Sequence, residues 1–250
     1  MRVSESRVRL RVGLVIWALG MLGVVAVAFT MIPQLVEVSP PAAPVGIVVA
    51  AMIAQSSVML ALMVWAGVRL GPKVGLRAPV IEAWVERRRG LPLLFQQLPA
   101  ALLAGVVCGL LLIGFERIAP ASLQAVNLDV PLISAILYGG VTEEVLVRFG
   151  LMTIVLWLMW RFIQRRNGPP KPIYAYTAMI VCAVAFGAGH LPVTQVFDIA
   201  LTPSVLLYIV GANALLGSLF GLLFLRYGLE SAIIAHALTH AVAAVIEALL

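Results

Sequence analysis

Apolar residues in this chain gather into long runs separated by short polar segments. Seven runs, each near the ~20 residues needed to cross a ~30 Å hydrocarbon core, fall at about Val12–Met31, Val45–Arg69, Ala100–Phe115, Leu132–Trp160, Tyr174–His190, Pro203–Leu225 and Ser231–Leu250. The predicted fold is therefore all-α, a polytopic membrane protein of about seven transmembrane helices. The first run follows basic residues as a signal peptide would, but its apolar stretch exceeds the usual roughly 7–15 residues, so it is read as retained. The fourth is long enough that a straight helix would reach about 43 Å; strong tilt, or a break near Gly150, is expected to absorb the excess. Two regions are expected: N-terminal helices with a basic cytoplasmic linker over 1–115, and a core over 130–250.

Composition agrees with the runs. Hydrophobic residues make up 62% of the 250 and charged residues 11%, against about 25% charged in a soluble domain. The net charge of +6 does not imply nucleic acid, because the bases cluster beside apolar runs: Arg2, Arg7, Arg9 and Arg11; Lys73, Arg77 and Arg87 to Arg89; Arg161, Arg165, Arg166 and Lys171. Lys and Arg so placed set topology by staying on the cytoplasmic side. With the N-terminus inside, the basic linkers at 70–99 and 161–173 are also inside, while 32–44 and 116–131 are outside with only Glu37, Glu116, Arg117 and Asp129. The linker stretch "VIEAWVERRRGLPLLFQQLP" reads either as an interfacial amphipathic helix or as an ordinary basic loop. Cys108 and Cys182 lie inside apolar runs and read as packing residues.

Against this background "VTEEVLVRFG" at 141–150 stands out, with Glu143, Glu144 and Arg148 among aliphatic neighbours. Glu144 and Arg148 are four apart, so on a helix they share a face with the acid on the favourable N-terminal side. Their mutual neutralisation lowers the cost of placing both in the membrane. Glu143 points about 100° away and needs another partner. The chain's 3 histidines all fall in later apolar runs: His190 in "AFGAGHLP", and His236 and His240, again four apart, in "IIAHALTHAV". Each polar residue alone has a structural reading, as a neutralised pair or a satisfied core histidine; together they point to a site. Gly187 and Gly189 before His190, and the Gly217/Gly221 pair, permit close approach of the helices carrying these residues.

A carboxylate in an apolar cavity, beside imidazoles, is equipped to take a proton from water and to stabilise an oxyanion. No serine or cysteine has a matching base, so direct attack by water on a peptide or amide bond is the simpler chemistry.

Glu-Glu-x-x-x-Arg at 143–148, Phe-x-x-x-His at 186–190 and His-x-x-x-His at 236–240, in this order, resemble the CPBP (Abi) intramembrane proteases, which include the type II CAAX prenyl endopeptidases. The likeness covers roughly 130–250. It implies a helical membrane core with the active site in a cavity, Glu143 activating water with His190, Glu144 and Arg148 supporting them, and His236 helping to bind the oxyanion. It also implies a membrane-associated protein or peptide as substrate, the lipid bilayer as surroundings, and a bacterial cytoplasmic membrane as location. His240 departs from the family's usual Asn or Asp; imidazole can still donate a hydrogen bond. It also makes Glu143, His190, His236 and His240 a conceivable zinc set, so the cofactor is either none or Zn. Two other readings compete: a non-proteolytic binding or immunity protein of the same fold, and a transporter or proton relay. The predicted boundaries put Glu143 near mid-membrane, His190 near the outer end of its span and His236 nearer the inside. The three meet only if the fifth span ends early or tilts, or if the chain near Pro192 folds back.

Overall fold

The structure, a computed structural model, describes residues 2–126 and 129–250. Met1, and Asn127 and Leu128 of the expected outer linker, lie outside the described residues. The chain is 83% helical, with no strand among the described residues, and 7 helices are long and apolar enough to cross a membrane. In chain order the helices are α1 (Arg2–Val38), α2 (Val45–Val74), α3 (Pro79–Val85), α4 (Leu91–Arg117) and α5 (Ala121–Gln124). They continue with α6 (Leu132–Ile163), α7 (Pro172–Gly189), α8 (Pro192–Val196), α9 (Pro203–Arg226) and α10 (Leu229–Leu249). Large apolar side chains such as Leu103, Ile180 and Leu207 stay exposed on the outer helix faces, as expected where the solvent is hydrocarbon.

Local chemistry sets the helix ends. Proline stands in the first turn of α3, α4, α7, α8 and α9, where its missing N–H costs nothing. Gly75 ends α2 in the left-handed conformation, φ 82°, while the Leu76 amide donates to the Gly71 carbonyl at 3.0 Å. Several helices outrun the apolar patches that announced them. α4 starts at Leu91 rather than Ala100, because Pro92 opens a helix that Gln96 and Gln97 do not interrupt; Gln97 is buried. α6 does not break at Gly150, which packs inside a continuous helix beneath Met63 of α2. Instead its first part, Ala135–Met152, winds with i→i+5 bonding. Such wide turns shorten the rise per residue and take up part of the excess length.

Part of the 70–99 linker is helical. α3 buries Val80, Ile81 and Ala83 and leaves Trp84 exposed. It is fastened to the start of α10, where Glu230 accepts the Ile81 amide at 2.8 Å and the Leu229 amide donates to the Arg77 carbonyl at 3.0 Å. Gly228, φ 114°, makes the sharp turn from α9 into α10 with Pro79 packed on it.

α6 is the common neighbour. α1 and α2 cover one side, and the α4–α10 and α7–α9 pairs complete the bundle. Small residues let backbones close on one another. Gly23 of α1 faces the Leu137 carbonyl, Gly67 of α2 faces the Phe149 ring, and Gly105 of α4 faces Leu238. Thr142 donates to the Gly20 carbonyl at 2.6 Å, so α1 grips α6 beside the acid pair.

A Cβ at Gly23 would lie 2.3 Å from the Leu137 carbonyl oxygen, which is backbone and cannot swing aside. Gly23→Ala is expected to destabilise the fold by about 1–3 kcal/mol, seen as a lower thermal unfolding midpoint in detergent. Gly46→Ala, whose Cβ would meet nothing within 4 Å, should leave the midpoint unchanged or raise it.

Candidate active site

Polar side chains from α6, α7 and α10 converge between these helices, with α9 closing the group. The centre is Glu144, 0% exposed, with Arg148 at 1%. Burying either charge alone would be prohibitive, and each is matched. Arg148 Nη1 lies 3.1 Å from Glu144 Oε1, the i,i+4 pair that the spacing predicts. His236 Nδ1 lies 2.8 Å from the same oxygen; a carboxylate accepts, so this ring nitrogen carries the proton. Arg148 Nη2 donates to the Gly217 carbonyl at 2.8 Å. A Cβ at Gly217 would stand 2.8 Å from that nitrogen, so the glycine opens the space the guanidinium occupies. Saturation is incomplete: Glu144 Oε2 has no hydrogen-bond partner, and Nη1 pairs with Glu144 without hydrogen-bond alignment.

Two aromatic rings hold this cluster. The Arg148 guanidinium carbon sits 4.9 Å from the Phe186 ring centre and 5.7 Å from that of Phe220, within cation–π range. Phe220 also stacks on His236 at 4.3 Å with 16° between planes. Phe220 was not singled out from sequence, because one more aromatic in the apolar run of α9 carries no distinguishing signal. Phe186 belongs to the Phe-x-x-x-His stretch and meets the His190 ring edge-on at 4.7 Å.

Glu143 turns away from the ion pair, as the helical angle predicts. It keeps 18% of its side chain exposed and faces His190, whose Nε2 is 3.9 Å from Oε1. His190 Nδ1 donates to the Phe186 carbonyl at 2.9 Å. A neutral His190 therefore presents its lone pair from Nε2 toward Glu143. The 3.9 Å contact itself places His190 at the level of Glu143. α7 stops at Gly189, within one residue of the predicted span, His190 is its cap, and residues 191–202, with α8 among them, lead on to α9.

His236 and His240 stack at 5.1 Å with 26° between planes. Both Nε2 atoms face Gly139, four residues before Glu143: a Cβ there would lie 2.6 Å from His240 Nε2 and 3.6 Å from His236 Nε2. Gly139 was likewise missed, since a glycine in an apolar helix does not reveal what packs on it. Of the other glycines, Gly187 faces the Val210 backbone, Gly217 faces Phe186 and Gly221 faces Met179, so α9 closes on α7; Gly189 has open space beside it.

The conceivable zinc set does not fit as the side chains stand. Among the described residues no three His, Cys, Asp or Glu side chains converge on a metal position. His236 Nδ1 is hydrogen-bonded to Glu144 and His190 Nδ1 to the Phe186 carbonyl, which leaves Nε2 as the nitrogen of each ring that a ligand could meet. Cys108 and Cys182 are buried free thiols.

Residues 125–242 match the family described as type II CAAX prenyl endopeptidase Rce1-like. The matched segment contains Glu143, Glu144, Arg148, His190, His236 and His240. Neither a curated protein nor a solved structure matches the chain.

Arg148→Met would leave the Glu144 carboxylate buried with His236 alone, at a cost of roughly 3–5 kcal/mol, and adding Glu144→Gln should recover part of the loss. Denaturant unfolding of the two variants in detergent checks both directions.

Proposed function

We propose, from the match of residues 125–242 to the Rce1-like family, that the chain is an intramembrane endopeptidase cleaving a peptide bond of a membrane-associated protein or peptide. The observation that carries the proposal is the 3.9 Å gap between Glu143 Oε1 and His190 Nε2. It is too long for a direct hydrogen bond and within reach of one bridging water.

Water in that gap gives one proton to the Glu143 carboxylate and hydrogen-bonds through the other to His190 Nε2. Its oxygen attacks the scissile carbonyl carbon, and the carbonyl π pair moves onto oxygen. The oxyanion is received on the Gly139 side by His240. Because His236 Nδ1 already donates to Glu144, its neutral ring carries no proton on Nε2, and it serves by stacking on His240 and holding that ring in place. His240 donates from Nε2 as a neutral ring. Collapse of the tetrahedral adduct breaks the C–N bond, and the proton held by Glu143 passes to the leaving nitrogen. Glu144 and Arg148 act by positioning: they hold His236 and the α6 backbone, while Glu143 and His190 work on water.

Glu143→Gln removes the base without removing bulk. Cleavage of a membrane-tethered reporter in proteoliposomes is expected to fall at least about a hundredfold, with the unfolding midpoint unchanged. Mass spectrometry of membrane peptides with and without active protein supplies the reporter sequence. Undiminished turnover in Glu143→Gln would reject the assignment and favour a binding protein of the same fold.

A further inference from the structure

None of the residues lining the groove between α1 and α2 belongs to α6–α10, and the groove has no part in the chemistry above. It encloses about 590 Å³. Along α1 it runs from Ser6 to Trp17, roughly 16 Å at the rise of a helix. That is about half of a ~30 Å hydrocarbon core, the depth of one leaflet. The two helices are antiparallel here: Gly13 lies against Val64 and Val68, and Trp17 Nε1 donates to the Ser57 carbonyl at 3.2 Å. Arg69 of α2 therefore stands at the same end as Ser6 and Arg9 of α1. Below them the walls are apolar, with Trp17 and Trp65 as the broadest surfaces and Gly13 leaving the floor free of side chain.

We propose that this groove binds one anionic phospholipid, its phosphate on Arg9 and Arg69 and an acyl chain between Trp17 and Trp65. Both parts of such a molecule are complemented. Arg69 makes no ion pair among the described residues. Arg9 meets only Glu5, at 3.8 Å with both side chains largely exposed, a contact weak enough for a phosphate to displace. A partner helix would match the apolar stretch but leave two cations at its mouth. The basic linker at 70–99 follows directly from α2 and puts further Arg on the same side, where an anionic leaflet surface would be attracted. The bound lipid would brace α1 against α2, and these are the helices that grip α6 through Gly23 and Gly67.

Native mass spectrometry of the full chain in detergent, titrated with phosphatidylglycerol or phosphatidylcholine, tests the assignment. The first phosphatidylglycerol is expected to bind on the order of twenty-fold more tightly than phosphatidylcholine. Each arginine should account for roughly a fivefold factor, so Arg9→Gln/Arg69→Gln brings the two lipids level. Gly13→Leu keeps both arginines and fills the floor; it should weaken the first binding event for both lipids. Arg161→Gln, a cation outside the groove, should change nothing. Equal affinity for the two lipids in the native chain, a preference that survives loss of both arginines, or an effect of Arg161→Gln as large as theirs would overturn the site.

Discussion

A single carboxylate oxygen, Glu144 Oε1, sits between a guanidinium at 3.1 Å and an imidazole nitrogen at 2.8 Å, all of it sealed from solvent. An unpaired charge in such surroundings costs several kcal/mol, and removing one partner exposes that cost in full. The requirement to satisfy Glu144 therefore dictates where three helices stand. α10 must bring His236 to it, α6 must place Arg148 one turn away, and α9 must offer the Gly217 carbonyl to the second guanidinium nitrogen. Phe186 and Phe220 close the remaining faces, so α7 is drawn in as well.

With Glu144 so occupied, its neighbour is released. Glu143 has no guanidinium partner and stays partly open beside His190. Adjacent residues of one helix thus take opposite surroundings, one charge-paired and closed, the other sparsely contacted and accessible. The N-terminal helices take part in this division without touching it. Thr142, next in chain to Glu143, is anchored to the Gly20 carbonyl of α1, and Phe149, next to Arg148, lies on Gly67 of α2. Both ends of the acidic stretch are held from behind.

Much of this was legible in the chain. Long apolar runs announced seven spans, and i,i+4 spacing foretold both the Glu144–Arg148 pair and the His236–His240 stack. The angle between adjacent helical residues foretold that Glu143 faces elsewhere. Confinement of every histidine to the apolar runs pointed to the cluster where they gather. What stayed hidden shares one property: it depends on what lies across a helix interface. Phe220, Gly139 and Thr142 look like packing residues until the facing helix is known. The start of α4 at Leu91 was missed because hydropathy reports where lipid contact begins, whereas the helix starts where proline permits. The apparent conflict in depth came from the same source, since span boundaries along the chain do not reveal which residues of facing helices stand level.

The division of labour between the two glutamates is open to direct measurement, because the chain has only 3 histidines and their ring nitrogens can be assigned in a ¹⁵N solid-state NMR spectrum of the protein in lipid. The account predicts that His190 is protonated at Nδ1 with a bare Nε2 that shifts in Glu143→Gln, while the Nδ1 proton of His236 shifts only in Glu144→Gln. A proton on His190 Nε2, or one response of both rings to either substitution, would contradict it.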